Sequence, residues 1–463
     1  MSRDATIDWK ANLHSIEPEL AWSRWEPSAE EPWNMQRAAL LFRRAGFGAS
    51  EEELKKALQE SPLFSIDRLL GKNQTDASAS EAFEEESAIL AKGVLAGGEA
   101  RNLASWWLHR LLHSPAAAIE KLTLFWHGHF ATGAEKVIDP ELMLQQNRTL
   151  RLHALGSFRT MVQAISKDPA MLIYLDSVTN RKSHANENYA RELMELFCLG
   201  EGNYSEQDVQ QLARCFTGWE IRRKQFRFNP YQHDSGKKSI LGVDGIDSGE
   251  DAIDCVVRHH ATPKFIVRKL FKFFVCDEPE PSDEFLAPLV KTFVDADFVI
   301  QPVIERILCS RLLLSGWAAG RKVRSPIDVA IGCLRGLQST TNLDSLTKRL
   351  RPLGQNLFFP PNVKGWDGGR SWINSSTLIG RANLVHDLFR DENTRFDGQL
   401  LSQWCERNRI RSHEGWLAYL EALLLAKPLN EESRMKLLSN AGAAKDRATL
   451  LIQFCSLPQF HLS

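Results

Sequence analysis

The sequence predicts an all-α protein, a large multi-helix globular domain with at most a short two-stranded β excursion near residues 219–228. Apolar residues recur every three to four positions from about residue 100 to 175 and again from about 250 onward, which is the period of an α-helix. Strand-like alternation is scarce. It occurs mainly in GWEIRRKQFRFN, where apolar residues alternate on both sides of a basic turn.

Composition narrows the class of protein. The chain has 463 residues, of which 43% are hydrophobic and 25% charged, as in an ordinary globular protein. Its formal net charge is -1 with basic residues spread along the chain, which argues against a nucleic-acid partner. No apolar run approaches the roughly 20 residues of a membrane span, and the first residues do not resemble a secretory signal. The eight scattered cysteines form no C-x-x-C pair, so we expect reduced thiols and a cytoplasmic location.

Three segments are predicted along the chain. Residues 1–36 are interrupted by prolines and are predicted to form an N-terminal arm on the domain. Residues 37–391 are predicted to form the helical core domain, in which Ser50 and Glu53 have the spacing of a capping box before a helix. Residues 392–463 are predicted to form a C-terminal helical lobe packed on the core. No internal period of about 20–50 residues argues for a solenoid.

The segment NENYARELMELFCLG is the first candidate for a functional site. On a regular helical wheel its polar side chains fall on one arc, formed by Asn188, Arg191, Glu192 and Glu195. One interpretation is a solvated face in which Arg191 forms ion pairs with Glu187 and Glu195. The other is that these side chains converge on a site with residues from other segments.

Two histidines in FWHGHF are candidate metal ligands. The upstream residues are helical in pattern, so we expect His127 in the last turn of a helix. Gly128 would then allow a left-handed exit that brings His129 alongside His127. Neutral imidazoles are common metal ligands, but buried histidines that bond to carbonyl groups explain the pattern as well.

The segment YQHDSGKKS offers a further group of polar residues. His233 beside Asp234 suggests a metal ligand, or a general base with a carboxylate that orients it, and Lys237 adds a positive charge. A polar turn is the alternative. The GKKS string lacks the glycine that a P-loop requires five residues before Gly236, and no nucleotide cofactor motif is present.

Two weaker candidates are cationic. Gly369 and Arg370 precede a helix predicted to begin near Asn374, so backbone N–H groups and a guanidinium there could bind an anion. Tight packing around the neighbouring tryptophans explains the glycines equally well. Arg44 is a candidate anion contact, although structural ion pairs account for most arginines.

From about residue 37 to 390 the chain resembles the bacterial family catalogued as domain of unknown function 1800. The matching stretches include LLFRRAGFGAS, KLTLFWHGHFATG, NENYARELMELFCLG, HDSGKKSILG, ATPKFIVRKLFKFFV and FFPPNVKGWDGGRSWINSSTLIGRANL. The resemblance implies an all-helical fold and no assigned activity. It also implies an association with a sulfatase-like family that is often encoded beside it. Many members carry a signal peptide, and many have His where this chain has Phe197, so the chain departs from the family in both respects.

Two functions follow from these features. The first is a metal-dependent enzyme holding Zn, Fe or Mn, with hydrolysis of an anionic substrate favoured and oxidative chemistry close behind. The predicted metal ligands are His127, His129, Glu192, Glu195 and His233. The predicted catalytic residues are Asp234, Lys237 and Arg44, and the predicted substrate-binding residues are Asn188, Arg191, Gly369 and Arg370. The second function is a non-enzymatic helical scaffold or accessory for a sulfatase-like partner protein.

Overall fold

α-Helices dominate the computed structural model, which describes residues 7–8, 10–72, 77–407, 410, 412–443 and 447–463. The model is 62% helical, so the predicted fold class is confirmed. The first helices are α1 (Pro18–Ala21), α2 (Met35–Ala45), α3 (Glu51–Gln59), α4 (Pro62–Leu69), α5 (Ala77–Ala96), α6 (Leu103–His113), α7 (Ala117–His129), α8 (Ala134–Val137), α9 (Pro140–Leu152), α10 (Phe158–Ser166) and α11 (Pro169–Tyr174).

The second part of the chain continues with shorter and longer helices in alternation. These helices are α12 (Asn188–Glu192), α13 (Glu206–Cys215), α14 (Gly249–Arg258), α15 (Ala261–Phe274), α16 (Asp283–Asp295), α17 (Ile300–Leu308), α18 (Arg311–Leu314), α19 (Pro326–Gly336), α20 (Leu343–Leu350), α21 (Ser375–Arg390), α22 (Leu401–Arg407), α23 (His413–Leu424), α24 (Glu431–Ala443) and α25 (Arg447–Cys455). None of these helices in the described ranges is long and apolar enough to cross a membrane.

Local sequence signals explain where many helices begin. Ser50 accepts a hydrogen bond from the amide of Glu53, and the Glu53 side chain accepts one from the amide of Ser50, so the predicted capping box is confirmed. Ser325 and Asp328 form the same arrangement at the start of α19. Proline occupies the first turn of α9, α11 and α19, where its missing N–H leaves no helical bond unmade.

The strands are short and pair in twos. They are β1 (Trp219–Arg222), β2 (Gln225–Phe228), β3 (Ser239–Ile240), β4 (Val243–Asp244), β5 (Ser339–Thr340) and β6 (Arg395–Phe396), paired as β1–β2, β3–β4 and β5–β6, all antiparallel. The first pair is the predicted excursion. Its turn residues Arg223 and Lys224 both have positive φ (53° and 63°), which is the backbone of a two-residue hairpin turn.

The core is one continuous cluster of buried apolar residues that extends from Ile7 to Phe460. Trp22 of the predicted N-terminal arm is buried, and its indole N–H donates to the carbonyl of Phe285 at 2.8 Å. At the other end of the chain, Arg43 of α2 donates to the carbonyls of Leu423 and Leu425. Both terminal segments therefore pack on the same core, while the boundaries at residues 36 and 391 stay predictions.

One motif departs from regular helical geometry. The wheel drawn for NENYARELMELFCLG assumed an α-helix throughout, and this assumption is wrong. α12 ends at Glu192, and a π-helix follows over Leu193–Cys198. A π-helix has more residues per turn than an α-helix, so the angular positions of side chains after Glu192 shift.

Asp168 makes stability depend on pH. It caps α11 by accepting from the amide of Met171 at 3.1 Å, and it also accepts from the Gln146 side-chain amide at 2.9 Å. Burial raises the pKa of its carboxyl to about 7, although these hydrogen bonds act in the opposite direction. An unfolded Asp has a pKa of about 3.9. Between these two values the folded state binds the proton more tightly, so Asp168 lowers stability progressively as the pH rises from about 4 to 7.

We expect Asp168→Asn to remove the loss of stability that Asp168 causes as the pH rises. Relative to the wild type, the variant should gain on the order of 3 kcal/mol of unfolding free energy between pH 4 and pH 8. Urea unfolding at both pH values measures the change. Asp139→Asn is the matched control, because Asp139 also caps a helix but pairs with Lys224. Burial alone would raise the pKa of Asp139, but this pairing outweighs it and the pKa is lowered. An Asp168→Asn variant whose stability difference is the same at both pH values would contradict the assignment.

Candidate functional site

A cleft of about 380 Å³ lies where three of the motif segments meet. α7 contributes the HGH segment, α15 contributes the basic residues of KFIVRKLFKFF, and the loop before α21 contributes KGWDGG. The lining residues are Leu124, Phe125, Gly128, His129, Arg268, Lys269, Lys272, Phe273, Asp277, Glu280, Lys322, Val323, Ser325, Asp328, Gln355, Lys364, Trp366, Asp367, Gly368 and Trp372. Its size is in the range of small-molecule sites.

The cleft combines positive charge with aromatic walls. Its basic side chains are Arg268, Lys269, Lys272, Lys322 and Lys364, and its acidic ones are Asp277, Glu280, Asp328 and Asp367. Three of these four carboxylates already have cationic partners. Asp277 accepts from Lys322 at 2.7 Å and from the amide of Val323, and Asp328 pairs with Lys121 outside the lining. Arg268 in turn pairs with Asp283 outside the lining and with Glu280. Of the lining charges, Lys269, Lys272, Lys364 and Asp367 are left, and this balance favours an anionic ligand.

Lys269 and His129 form a hydrogen-bonded pair on the cleft wall. The Lys269 Nζ atom lies 3.1 Å from His129 Nδ1, and His129 Nε2 lies 3.0 Å from the carbonyl oxygen of Phe197. A carbonyl oxygen can only accept, so His129 Nε2 must carry the hydrogen and Nδ1 must accept from Lys269. Burial first, and then the charge of Lys269, hold the pKa of His129 well below its usual range. His129 is therefore neutral.

The π-helix supplies the other partners of this pair. The amides of Leu199 and Gly200 both bond to the carbonyl of Met194. The carbonyl of Leu196 accepts from Lys269 Nζ at 3.0 Å, next to the Phe197 carbonyl that accepts from His129. The central motif thus contributes backbone carbonyl groups to the cleft wall, and π-helical segments are frequent at functional sites for this kind of reason.

The surroundings of Lys269 favour the neutral form of its amine. Burial lowers the pKa of its ammonium group to about 8. Two of its three hydrogens point to fixed acceptors, His129 Nδ1 and the Leu196 carbonyl. A neutral amine keeps two hydrogens, so these bonds survive deprotonation, and the lone pair takes the third position. The Phe265 ring centre lies 4.5 Å from Nζ and keeps water away from one side.

Comparison with known proteins assigns the family. Residues 40–462 match the family model described as Protein of unknown function (DUF1800). The chain belongs to this family. The match confirms the resemblance over nearly the whole chain, and it brings no activity with it. No curated protein and no solved structure matches the chain.

In this DUF1800 protein the two histidines of HGH do not converge. α7 continues to His129, so Gly128 is helical and the expected left-handed exit is wrong. Residues two positions apart on a helix are rotated by about 200° about the helix axis, so their side chains lie on nearly opposite faces. His127 is fully buried, its Nε2 accepts from the amide of Phe358 at 3.2 Å, and burial lowers its pKa to about 3. A Cβ atom at Gly128 would lie 3.6 Å from the Trp366 ring, an ordinary van der Waals contact, so this contact does not require glycine here.

The polar arc of the central motif is mostly engaged in surface pairs. Arg191 pairs with Glu206 at 2.7 Å and with Glu187 at 3.2 Å, so half of the predicted ion-pair pattern is confirmed. Glu195 instead accepts from the Tyr204 hydroxyl at 3.0 Å. Asn188 is exposed at the start of α12.

Glu192 is the member of that arc nearest the cleft. Burial first, and then the charge of Glu195, raise the pKa of its carboxyl, while Lys364 and Arg191 act in the opposite direction. Lys364 lines the cleft, so Glu192 lies within electrostatic reach of the cleft rim but outside its lining.

The segment around His233 lies outside the cleft lining. The ring nitrogens of His233 face the carbonyls of Thr217 (2.8 Å) and Asp247 (3.2 Å). Asp234 pairs with Arg214 at 2.7 Å, and this hydrogen bond lowers the pKa of its carboxyl to about 2.

The two lysines of the same segment differ in exposure. Lys237 is exposed, whereas Lys238 is buried and donates to the backbone carbonyls of Asp234 and Asp247. Lys238 thus links the backbone at Asp234 to the backbone at Asp247. These bonds fit the polar-turn interpretation of YQHDSGKKS.

The remaining predicted anion contacts are also occupied. Arg44 is buried and donates to four backbone carbonyls, those of Phe274, Val275, Ala318 and Ser463. Arg370 has an exposed side chain that pairs with Glu278, and Gly369 packs against Asp277 at the edge of the cleft. Arg44 lies behind the cleft, at a small internal void.

The five predicted metal ligands are therefore held apart. Across the part of the chain that the structure describes, no three His, Cys, Asp or Glu residues are grouped so as to hold a metal ion. Both nitrogens of His129 are already engaged, and His127 Nε2 accepts an amide hydrogen. The donor set does not fit a metal centre, so no chemical step is assigned to a metal here.

The sequence interpretation missed Lys269 and its basic neighbours Arg268 and Lys272. A signal was present, since KFIVRKLFKFF places several cations on an otherwise apolar helix, and buried cations require partners. The pattern alone does not reveal which of these cations faces a neutral histidine.

Proposed function

We propose that this DUF1800 protein is an enzyme that acts on a small anionic carbonyl compound, with Lys269 as the reactive amine. The observation that carries the proposal is the placement of Lys269, which lines the cleft and is held by a neutral histidine and a carbonyl group. A lysine that is desolvated by burial is an activated nucleophile, because a larger fraction of it is the neutral amine.

The cleft suits such a ligand. Its cationic side chains Lys272 and Lys364 would attract a carboxylate or phosphate group, and the aromatic walls would cover an apolar portion. Burial disfavours the ammonium form of Lys269 when no ligand is bound. A bound anion would hold the carbonyl group near the amine.

The chemistry follows from the protonation state. With a pKa of about 8, roughly one molecule in ten carries the neutral amine at pH 7. The Lys269 lone pair attacks the carbonyl carbon, water leaves, and an imine links the nitrogen to that carbon. His129 and the Leu196 carbonyl hold the neutral amine in place before the attack. As the imine forms, the two hydrogens of Nζ leave with the carbonyl oxygen as water, so both hydrogen bonds are given up.

Chemical trapping tests this proposal. Pyridoxal 5′-phosphate, used as an anionic aldehyde probe, followed by borohydride reduction of the imine, should label Lys269 faster than surface lysines. The labelling rate should rise with a midpoint near pH 8, whereas an ordinary lysine titrates near 10.4. Peptide mass spectrometry locates the modified residue.

Two variants sharpen the experiment. Lys269→Arg keeps a cation and hydrogen-bond donors but should abolish the fast labelling. Lys272→Met keeps the amine and removes one cation of the lining, so labelling should persist but need a higher probe concentration. Equal labelling of Lys269 and surface lysines at pH 7.5 would overturn the proposal. It would leave the scaffold for a sulfatase-like partner, which stays a prediction, as the next function to test.

A further inference from the structure

A small void lies behind the cleft, among buried basic side chains. Its volume is about 10 Å³, enough for a single particle of about the size of water. Arg43 and Arg44 of α2 reach it, as do Lys121 of α7 and Arg324, which precedes α19. The full lining is Arg43, Arg44, Phe47, Lys121, Phe273, Lys322, Arg324, Asp328 and Ser463.

Positive charge in this region far exceeds negative charge. Arg43, Arg44, Lys121 and Arg324 are 6%, 2%, 4% and 3% exposed. Asp328 is the one carboxylate in the void's lining, and it is already engaged by Lys121 and by the amide of Ser325.

Charged groups next to the void do not offset its excess of positive charge. Asp277 is paired with Lys322. Arg381 is fully buried and adds a further cation, and burial first, then the charge of Arg324, lower its pKa to about 10. Even a carboxylate at Ser463, whose carbonyl oxygen accepts from Arg44, would leave the cations in excess.

The hydrogen bonds of these arginines are incomplete. Arg43 and Arg44 bond through their terminal nitrogens to backbone carbonyls, which carry no net charge. The Nε atoms of both side chains are buried without a partner, and so are Nε and Nη1 of Arg381. Buried cations normally pair with an anion, because an unpaired buried charge is strongly destabilising. Arginine does not escape this penalty by losing its proton.

We propose that the void binds a small inorganic anion, chloride under ordinary conditions. Size decides the class, since a void of about 10 Å³ admits a monatomic ion but not a phosphate or a carboxylic acid. The anion would offset part of the positive charge of Arg43, Arg44 and Arg324 and accept from the unpartnered Nε–H groups of Arg43 and Arg44. It would thereby join α2 to α7, to the start of α19 and to the segment ending at Ser463.

The proposed anion site does not include Lys269, the residue proposed to react with a carbonyl compound. The void shares Phe273, Lys322 and Asp328 with the cleft lining, but Lys269 is not part of it. Anion binding in the void would therefore support the fold, and it should occur in Lys269→Arg as well as in the wild type.

Thermal unfolding in different salts tests the inference. At constant ionic strength, replacing sodium gluconate by sodium chloride or bromide should raise the melting temperature in proportion to the logarithm of the halide concentration once this exceeds the dissociation constant. The rise should reach about 2 to 3 °C at a hundredfold excess over the dissociation constant. Arg43→Gln should reduce or abolish the rise, whereas Arg407→Gln, which alters an exposed arginine of α22, should keep it.

A crystal soaked in bromide provides the direct readout, and it does not depend on a variant that folds. An anomalous difference peak within reach of Arg43 and Arg44 is the expected result. A void without bromide, in a crystal that binds bromide at surface positions, would overturn the proposal. Equal melting temperatures in chloride and gluconate would do the same.

Discussion

Replacing Glu120 by glutamine is expected to lower the unfolding free energy by about 3 to 5 kcal/mol. Glu120 lies on α7 and is 1% exposed. Its carboxylate accepts from Arg110 Nε at 2.8 Å and from Arg151 Nε at 2.7 Å, and the Trp107 indole donates to it as well. Glutamine keeps the shape but leaves two guanidinium groups without their shared anion.

The pH dependence of this effect follows from the same contacts. Burial alone would raise the pKa of Glu120, but the charges and hydrogen bonds of Arg151 and Arg110 outweigh it and the pKa is lowered. The stabilisation is therefore present above the unfolded pKa of about 4.3 and is lost as the pH falls through the folded value. Urea unfolding at pH 7 and in mild acid measures both the size and the pH range.

Glu84→Gln is the matched control for Glu120→Gln. Glu84 also pairs with Arg110, but its side chain is 60% exposed, so its removal should change stability by no more than about 1 kcal/mol. Equal losses from the two substitutions would show that burial of the Glu120 carboxylate does not determine its contribution.

Local features of the fold could be predicted from the sequence because each depends on neighbouring residues. The capping box of Ser50 and Glu53 spans four positions, and the hairpin of β1 and β2 is complete within ten residues. Helical periodicity is likewise local. The helix wheel of the central motif failed for a local reason too, since nothing in the residues of Leu193–Cys198 distinguishes a π-helix from an α-helix by period alone.

The candidate site depends on contacts between distant parts of the chain. His129 meets Lys269 across 140 positions and Phe197 across 68. The motif interpretation selected the HGH segment and the loop around Gly369, which both border the cleft, but it did not select α15, and the YQHDSGKKS segment that it did select lies outside the lining. It also chose the wrong atoms within the HGH segment and the central motif. It expected the carboxylates of the central motif, and the structure uses its backbone carbonyls. It expected His127 and His129 to share a ligand, and the helix directs them to different partners.

Placement of cations could not be predicted for a related reason. Arg44 looked like a contact for a substrate, yet its terminal nitrogens are all bonded to carbonyls inside the core. Lys269 looked like an ordinary helical lysine. A sequence pattern gives charge and helical position, but the depth of burial and the partner of a side chain come from tertiary packing.

Gly365→Ala is expected to disturb both stability and the cleft. Gly365 has a φ of +76°, and a Cβ atom there would overlap the carbonyl oxygen of Gly128 on α7. The left-handed backbone and the overlap together should lower the unfolding free energy by about 2 to 4 kcal/mol. The loop would have to move away from α7, and it carries Lys364 and Trp366 of the cleft lining with it. Labelling of Lys269 by pyridoxal 5′-phosphate should therefore slow at least several-fold.

Gly368→Ala separates these two causes. Gly368 belongs to the same loop and has a similar φ of +73°, but no atom lies within 4 Å of its Cβ position. Its substitution should lower the unfolding free energy by about 1 to 3 kcal/mol through backbone strain alone, because its φ of 73° with ψ of -171° is a conformation that almost only glycine adopts. It should leave the labelling rate close to that of the wild type. If both variants lost the same stability and labelled at the same rate, the close approach of Gly365 to Gly128 would not be what holds the loop against α7. The aromatic wall of the cleft would then depend on other contacts, such as the bond from the Trp366 indole to the carbonyl of Gly354 at 2.9 Å.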